Sequence, residues 1–215
     1  MGTGSLVLTF VCSLWQGWRP VYGPEHVYRL QSLLKRYAAP HRFVCLTNQP
    51  LDCETVPLPQ IEWKRQQKSI PNCYGRLWLF SEAARQLGEW VVNVDLDVDM
   101  LRPIDELFTG DEDFKILAGE ASPYNGSLWK LRTGSLPHIW DDLDGEGAKM
   151  ANKQINPVTG RRFYGSDQSW LSYKLPNRPV WDERDGVYQH VRLTGTIPED
   201  ARMIFYAGIV KPWTR

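Results

Sequence analysis

The stretch Val91 to Met100, VVNVDLDVDM, constrains the fold more than any other. Apart from Asn93 its first residues are apolar and β-branched, and they run straight into Asp95, Asp97 and Asp99. Such a run reads as a buried strand leaving a sheet at its carboxyl end. In open α/β sheets that end is where ligands bind. Period-two alternation puts Asp95, Asp97 and Asp99 on one side if the chain stays extended. Carboxylates so placed repel one another, and are tolerated when water or a hard divalent cation lies between them. A metal held there can grip a diphosphate.

The flanking sequence supplies a sheet for this strand. Ser5 to Cys12 reads as a first strand. Pro24 opens a helical pattern with Val27, Leu30, Leu34 and Tyr37 on one face, and His41 to Leu46 is a second strand. Strand, helix and strand with short joints make a βαβ unit, so the sheet begins parallel. A short strand is expected near Glu54 to Pro57, and a helix over roughly Tyr74 to Leu87, stopped by Gly88. Pro103 to Leu107 is a turn into a short helix, and Lys115 to Ala118 a strand. YNGSLWKLR and a helix near Pro137 to Leu143 follow. Asp144 to Gly160, rich in Gly, Asp and Asn, reads as a mobile loop. Gly165 to Lys174 begins with a helix-capping pattern at Ser166 or Asp167. No repeat or clean break interrupts the 215 residues, so residues 1–215 are read as a single α/β domain. Its central sheet is expected to be mixed, mostly parallel and flanked by helices.

Lys plus Arg and Asp plus Glu each number 25, which argues against a nucleic-acid footprint and against a polybasic membrane anchor. No apolar run approaches the ~20 residues of a membrane helix. The first residues show neither a positive n-region nor a cleavage site, so a cytoplasmic place is expected. Cys12, Cys45, Cys53 and Cys73 form no CxxC pair and read as free thiols rather than zinc ligands. Ten Trp and nine Tyr suit sugar platforms, but ordinary cores use them too, and the core reading is preferred.

Outside the acidic strand, each candidate has an ordinary reading beside the functional one. Arg76, early in its helix, is either a surface cation or a phosphate ligand. Asn125 and the pair Asp167-Gln168 stand at element edges, where such residues commonly serve turns and caps. Lys211, in KPW, is a tail cation or a second diphosphate contact. For the acids themselves a calcium loop fails, because Met100 replaces the turn glycine and Pro103 interrupts the loop. An aspartyl-phosphatase motif remains a minor alternative.

The order of these features decides between the readings. A strand-helix-strand start containing SLWQGW and RFVCLTN is followed by Arg-Leu-x-x-Phe, apolar-DxD, x-Asn-x-Ser, Gly-x-Asp-Gln and Gly-x-x-Lys-Pro-Trp. Together, from Leu6 to Trp213, they resemble the GT-A glycosyltransferases. The likeness is to the glycogenin-like and lipopolysaccharide-sugar-transferase-like branch, in its small bacterial and phage versions. The resemblance implies a Rossmann-like GT-A domain and a hexosyltransferase using a nucleotide-sugar, UDP by kinship, with retention of configuration. It implies that Asp95 and Asp97 hold Mn²⁺ or Mg²⁺ and the donor diphosphate, with Asp99 a possible compensating ligand. Arg76 and Lys211 match phosphate contacts. Asn125, Asp167 and Gln168 match residues on the donor sugar, facing the acceptor. Leu14, Trp15 and Asn48 would border the base. The acceptor is left open among glycan, lipid-glycan and protein. One departure stands out: the tail reads Phe205-Tyr206-Ala207-Gly208, where the family carries a metal-ligating His. A non-catalytic sugar-nucleotide or glycan-binding module therefore remains an alternative, with a metal-dependent phosphohydrolase behind it.

Overall fold

The computed structural model describes residues 7–15, 22–61, 72–164, 166–208 and 210–214. Ser5 and Leu6 of the expected first strand, and Gly165 before the capping pattern, lie outside the described residues.

The βαβ start is present as β1 (Thr9–Leu14), α1 (Pro24–Tyr37) and β2 (Arg42–Thr47). Pro24 fills the first turn of α1, where a missing N–H costs nothing. Val27, Leu30 and Leu34 bury one face of α1. β1 and β2 pair in parallel from Thr9↔Arg42 to Leu14↔Thr47. After β3 (Thr55–Val56) the acidic stretch supplies β4 (Trp90–Val94), buried along its whole length. It is followed by β5 (Val98–Met100), β6 (Phe114–Ala118), β7 (Tyr124–Arg132) and β8 (Val180–Trp181).

Among the described residues the main sheet has seven strands in the order β3-β2-β1-β4-β7-β6-β8. β4 lies parallel to β1 and antiparallel to β7, a central place that explains its burial along its whole length. β6 is antiparallel to β7 and parallel to β8, which makes the sheet mixed. Alternation sends Phe10, Cys12, Leu14, Val92 and Val94 into the layer shared with α1. Val11 and Val91 face the opposite layer, with Leu77, Phe80, Trp129 and Trp170. β5 instead joins β9 (Val187–Gln189) and β10 (Met203–Phe205) in a three-stranded sheet ordered β5-β10-β9.

Two expectations change. The helix over 74–87 is two successive 3₁₀ segments, Asn72–Phe80 and Glu82–Leu87, separated by Ser81 in extended backbone. Tyr74, Leu77 and Phe80 are all fully buried, and their spacing of three matches the 3₁₀ turn rather than the α-helical one. The loop expected over 144–160 contains a helix (Gly145–Ala151), which follows the short helix α2 (His138–Asp141) and is named α3. Asp144 caps α3, accepting from the Gly147 N–H at 2.6 Å, and Ala148 and Ala151 are buried. A Cβ on Gly147 would lie 2.8 Å from the Trp170 ring, so this glycine serves packing rather than a turn. No helix among the described residues is long and apolar enough to cross a membrane.

All four cysteines are free; Cys12, Cys45 and Cys73 are buried and Cys53 is half-buried. Burial pushes the Cys12 and Cys73 thiols well up, and Cys53 is raised by burial and by Cys45. A raised thiol pKa leaves less thiolate at neutral pH and slows reaction. Titration of the native protein with a disulfide reagent at pH 7.5 is expected to modify Cys53 alone, and slowly. In denaturant all four thiols should react. Several fast native thiols would contradict this burial pattern.

Candidate active site

β4 ends at Val94, and the chain then bends through Leu96 and Asp97 before entering the second sheet as β5. The Asp95 N–H donates to the Ser127 carbonyl at 2.9 Å, which anchors the start of the bend on β7. The bend ends the extended run on which the common-side expectation for the three acids depended. Asp95 and Asp97 line one cavity of about 420 Å³ at the carboxyl ends of β1 and β4. Asp99 is outside that lining, ion-paired with Arg29 of α1 and accepting from the Tyr206 hydroxyl at 3.1 Å.

Arg76, on the first 3₁₀ segment, reaches under the cavity and joins two acids. Its Nε donates to Asp167 Oδ2 at 2.6 Å and its Nη1 to Asp95 Oδ1. Asp167 opens α4 (Asp167–Lys174), whose Ser166 cap accepts from the Gln168 N–H at 3.3 Å. Gly126 on β7 makes room for this cluster, since a Cβ there would lie 2.6 Å from Arg76 Nη2 and 3.0 Å from Asp167 Oδ2. Burial works against the Arg76 charge, but Asp167 and then Asp95 outweigh it and leave its pKa above the ordinary arginine value. Burial raises the Asp95 carboxyl; Arg76 opposes that rise and the Asp97 charge adds to it.

The tail completes the other wall. Lys211 Nζ donates to Asp97 Oδ2 at 2.6 Å, to the Tyr22 hydroxyl oxygen at 2.8 Å and to the Tyr206 carbonyl at 3.1 Å. The Tyr22 hydroxyl in turn donates to Asp97 Oδ2 at 2.9 Å, and burial, then Asp97, push the phenol's pKa upward. Trp213 holds the tail on the start of α1, 4.1 Å from the His26 ring and edge-on to Tyr22 at 5.9 Å.

Of the residues singled out in sequence, Leu14, Trp15, Arg76, Asp95, Asp97, Asn125, Asp167 and Gln168 line this cavity. Lys211 reaches it through Asp97. Asn48 does not line it; its side chain donates to the Leu58 carbonyl at 3.0 Å. Tyr22, Gly126, Ser127 and Tyr164 line the cavity without having been singled out, and Gln189 stands behind Asn125. Tyr22 carries no sequence pattern and is recognisable only once Lys211 lies beside it.

The acids Asp95, Asp97 and Asp167 face the cations Arg76 and Lys211, so the cluster carries one net negative charge. Asp95 and Asp97 are the carboxylates able to hold a cation, and their oxygen chemistry suits Mg²⁺ or Mn²⁺. No group of three His, Cys, Asp or Glu able to hold a metal occurs among the described residues. The tail stretch Phe205 to Gly208, where a His is expected, holds none, and within it Tyr206 stacks on His190 at 4.6 Å and turns its hydroxyl to Asp99.

No protein-family model matches the sequence, and no curated protein matches it. Solved structures match in fold. A glycosyltransferase involved in glycosylation of the major capsid of PBCV-1 aligns over 95% of this chain and 94% of its own, with TM-score 0.57 and 14% identity. The bifunctional glycosyltransferase WbbM aligns over 99% of this chain at TM-score 0.61 and 12% identity. This chain spans about half the length of WbbM, 48%. The chain thus has a GT-A-like glycosyltransferase fold, an α/β architecture with a helix-flanked central sheet.

Arg76→Met leaves Asp167, with a side chain 2% exposed, and Asp95, 28% exposed, without their shared cation. The unfolding free energy at pH 7 is expected to fall by about 3 kcal/mol. Arg76 is the main influence holding the Asp95 pKa down, so its removal raises that pKa further above the unfolded value. The folded form then takes up a proton first on acidification. The deficit is therefore largest at neutral pH and shrinks as pH falls through the raised value. Urea denaturation of both proteins at pH 7 and pH 5 checks this; a deficit that grows with acidification would rule the bridge out.

Proposed function

We propose that the chain transfers a sugar from a nucleotide-sugar, UDP-linked by resemblance, to a hydroxyl of a glycan, lipid-glycan or protein acceptor. The observation that carries this reading is the gathering of Arg76, Asp95, Asp97, Asn125, Asp167 and Gln168 around one cavity at the strand ends of a glycosyltransferase fold. Charge supports a metal as well. A diphosphate entering a cluster of net charge −1 meets repulsion, and a divalent cation on Asp95 and Asp97 reverses the sign. Bound there, Mn²⁺ or Mg²⁺ would supply Lewis-acid stabilisation of the leaving diphosphate.

The chain's own residues would do the rest. Transfer forms a bond from the acceptor oxygen to the anomeric carbon and breaks the bond to the diphosphate, whose oxygen keeps the electron pair and takes up the proton of the acceptor hydroxyl. Lys211 and the Nη2 edge of Arg76 are the fixed cations nearest that growing charge. Gln168 and Asn125 would orient the sugar, a proximity effect. Asp167 is already engaged by Arg76, which suits a residue that stabilises the sugar better than one that attacks it. An acceptor attacking on the leaving-group face needs no enzyme nucleophile and retains configuration.

The second reading, a binder without turnover, draws on the tail Phe205-Tyr206-Ala207-Gly208, which lacks the family's metal-ligating His. Thermal unfolding with nucleotide-sugars, with and without Mn²⁺, separates the two when joined to a transfer assay. A donor at about 100 times its dissociation constant should stabilise the native state by about 2.7 kcal/mol. Asp95→Asn should remove both the metal-dependent part of that shift and the transfer. A metal-dependent shift with no transfer to any acceptor selects the binder. Transfer that survives Asp95→Asn overturns the assigned site.

A further inference from the structure

Resting on the glycosyl-transfer reading, we propose that Gln189 is a positioning residue that sets donor-sugar selectivity by locking the Asn125 amide in one orientation. The pairing of β6 with β7 steps from Ile116↔Trp129 to Leu117↔Asn125, leaving the intervening β7 residues without β6 partners. Just beyond that step the Gln189 side chain, from β9 of the second sheet, bridges the two strands. Its Nε2 donates to the Ala118 carbonyl at 2.8 Å, and its Oε1 accepts from Asn125 Nδ2 at 3.0 Å.

These bonds admit one arrangement. A carbonyl only accepts, so the nitrogen of Gln189 must face Ala118 and its oxygen must face Asn125. An oxygen there requires the nitrogen of Asn125. On the other side the Ser127 N–H donates to Asn125 Oδ1 at 2.9 Å, which requires the oxygen of Asn125 at that end. Two independent anchors therefore agree on the same flip. Asn125 lies on the cavity wall, whereas Gln189 lies behind it, buried. After these bonds Asn125 keeps one N–H and one lone pair, in a fixed order, for a ligand. A polar sugar edge is read by such an ordered pair, and an epimer that moves one hydroxyl loses the match. An Asn held by the Ser127 N–H alone would flip at the cost of a single hydrogen bond and so admit the other arrangement more readily.

The test compares kcat/KM for the preferred nucleotide-sugar and for its epimer at one hydroxyl, in the wild type and in Gln189→Met, an apolar side chain of similar length. The expected result is a fall of about tenfold in the ratio, the scale of one hydrogen bond, carried by KM of the preferred donor. Affinity for the free nucleoside diphosphate should stay within about twofold. Should Gln189→Met fail to fold, Gln189→Ala reads the same ratio. Equal loss on both donors, with the ratio unchanged, means that Gln189 is only structural and overturns the proposal. A wild type that binds no nucleotide-sugar defeats the transfer reading itself and is seen before any variant is made.

Discussion

The Arg76 guanidinium is the contact on which the site depends. It ties the first 3₁₀ segment to the end of β4 through Asp95 and to the start of α4 through Asp167. Burying an ion pair is costly, and apolar side chains of the same volume often stabilise a protein as well or better. The bridge is therefore poorly explained by stability alone. It fixes two carboxylates from distant parts of the chain with respect to each other, and Gly126 leaves the space for it. The 3₁₀ form of the segment belongs to the same arrangement. A repeat of three aligns Cys73, Arg76 and Leu79 on one side and Tyr74, Leu77 and Phe80 on another, so the segment is buried on both sides.

The second cation enters from the opposite end of the chain. Lys211 is drawn onto Asp97 by a tail that the Trp213 ring fastens to α1. Asp99, two residues further on, has its own partner in Arg29 of the same helix. The three acids of the DxDxD stretch are thus shared among Arg76, Lys211 and Arg29, which belong to three separate elements. This distribution relieves the repulsion that a common face would have produced.

Much of this was legible because the relevant signals are local. The apolar run into Asp95 marks a central strand and its polar end, the spacing of Val27, Leu30 and Leu34 marks α1, and Ser166 before Asp167 marks a cap. Sequence reading fails where a tertiary contact decides the outcome. Gly147 looks like a loop residue until Trp170 is found against it. Tyr74 to Leu87 looks α-helical until the burial of Tyr74, Leu77 and Phe80, three residues apart, marks the tighter turn. Asp99 continues the alternation of Asp95 and Asp97, and only the bend into a second sheet separates it. Tyr22 and Gln189 act through partners 189 and 64 residues away, and no pattern around either one announces them.

The charge pattern bears on how the site would respond to ligands under the glycosyl-transfer reading. In the free protein Lys211 and Arg76 already satisfy Asp97 and Asp95. A metal ion arriving alone would compete with these cations, and a diphosphate arriving alone would meet the excess of carboxylate charge. If both arrived together, Asp95 and Asp97 would hold the metal, and Lys211 and Arg76 would be left to the phosphates. Each ligand then improves the site for the other, and by linkage the improvement is equal in both directions. Such coupling would let Asp95 and Asp97 hold a metal weakly in the free protein and firmly once a donor is bound. The lack of a His in the tail stretch Phe205 to Gly208 would in that case shift the burden of metal binding onto the donor without abolishing the site.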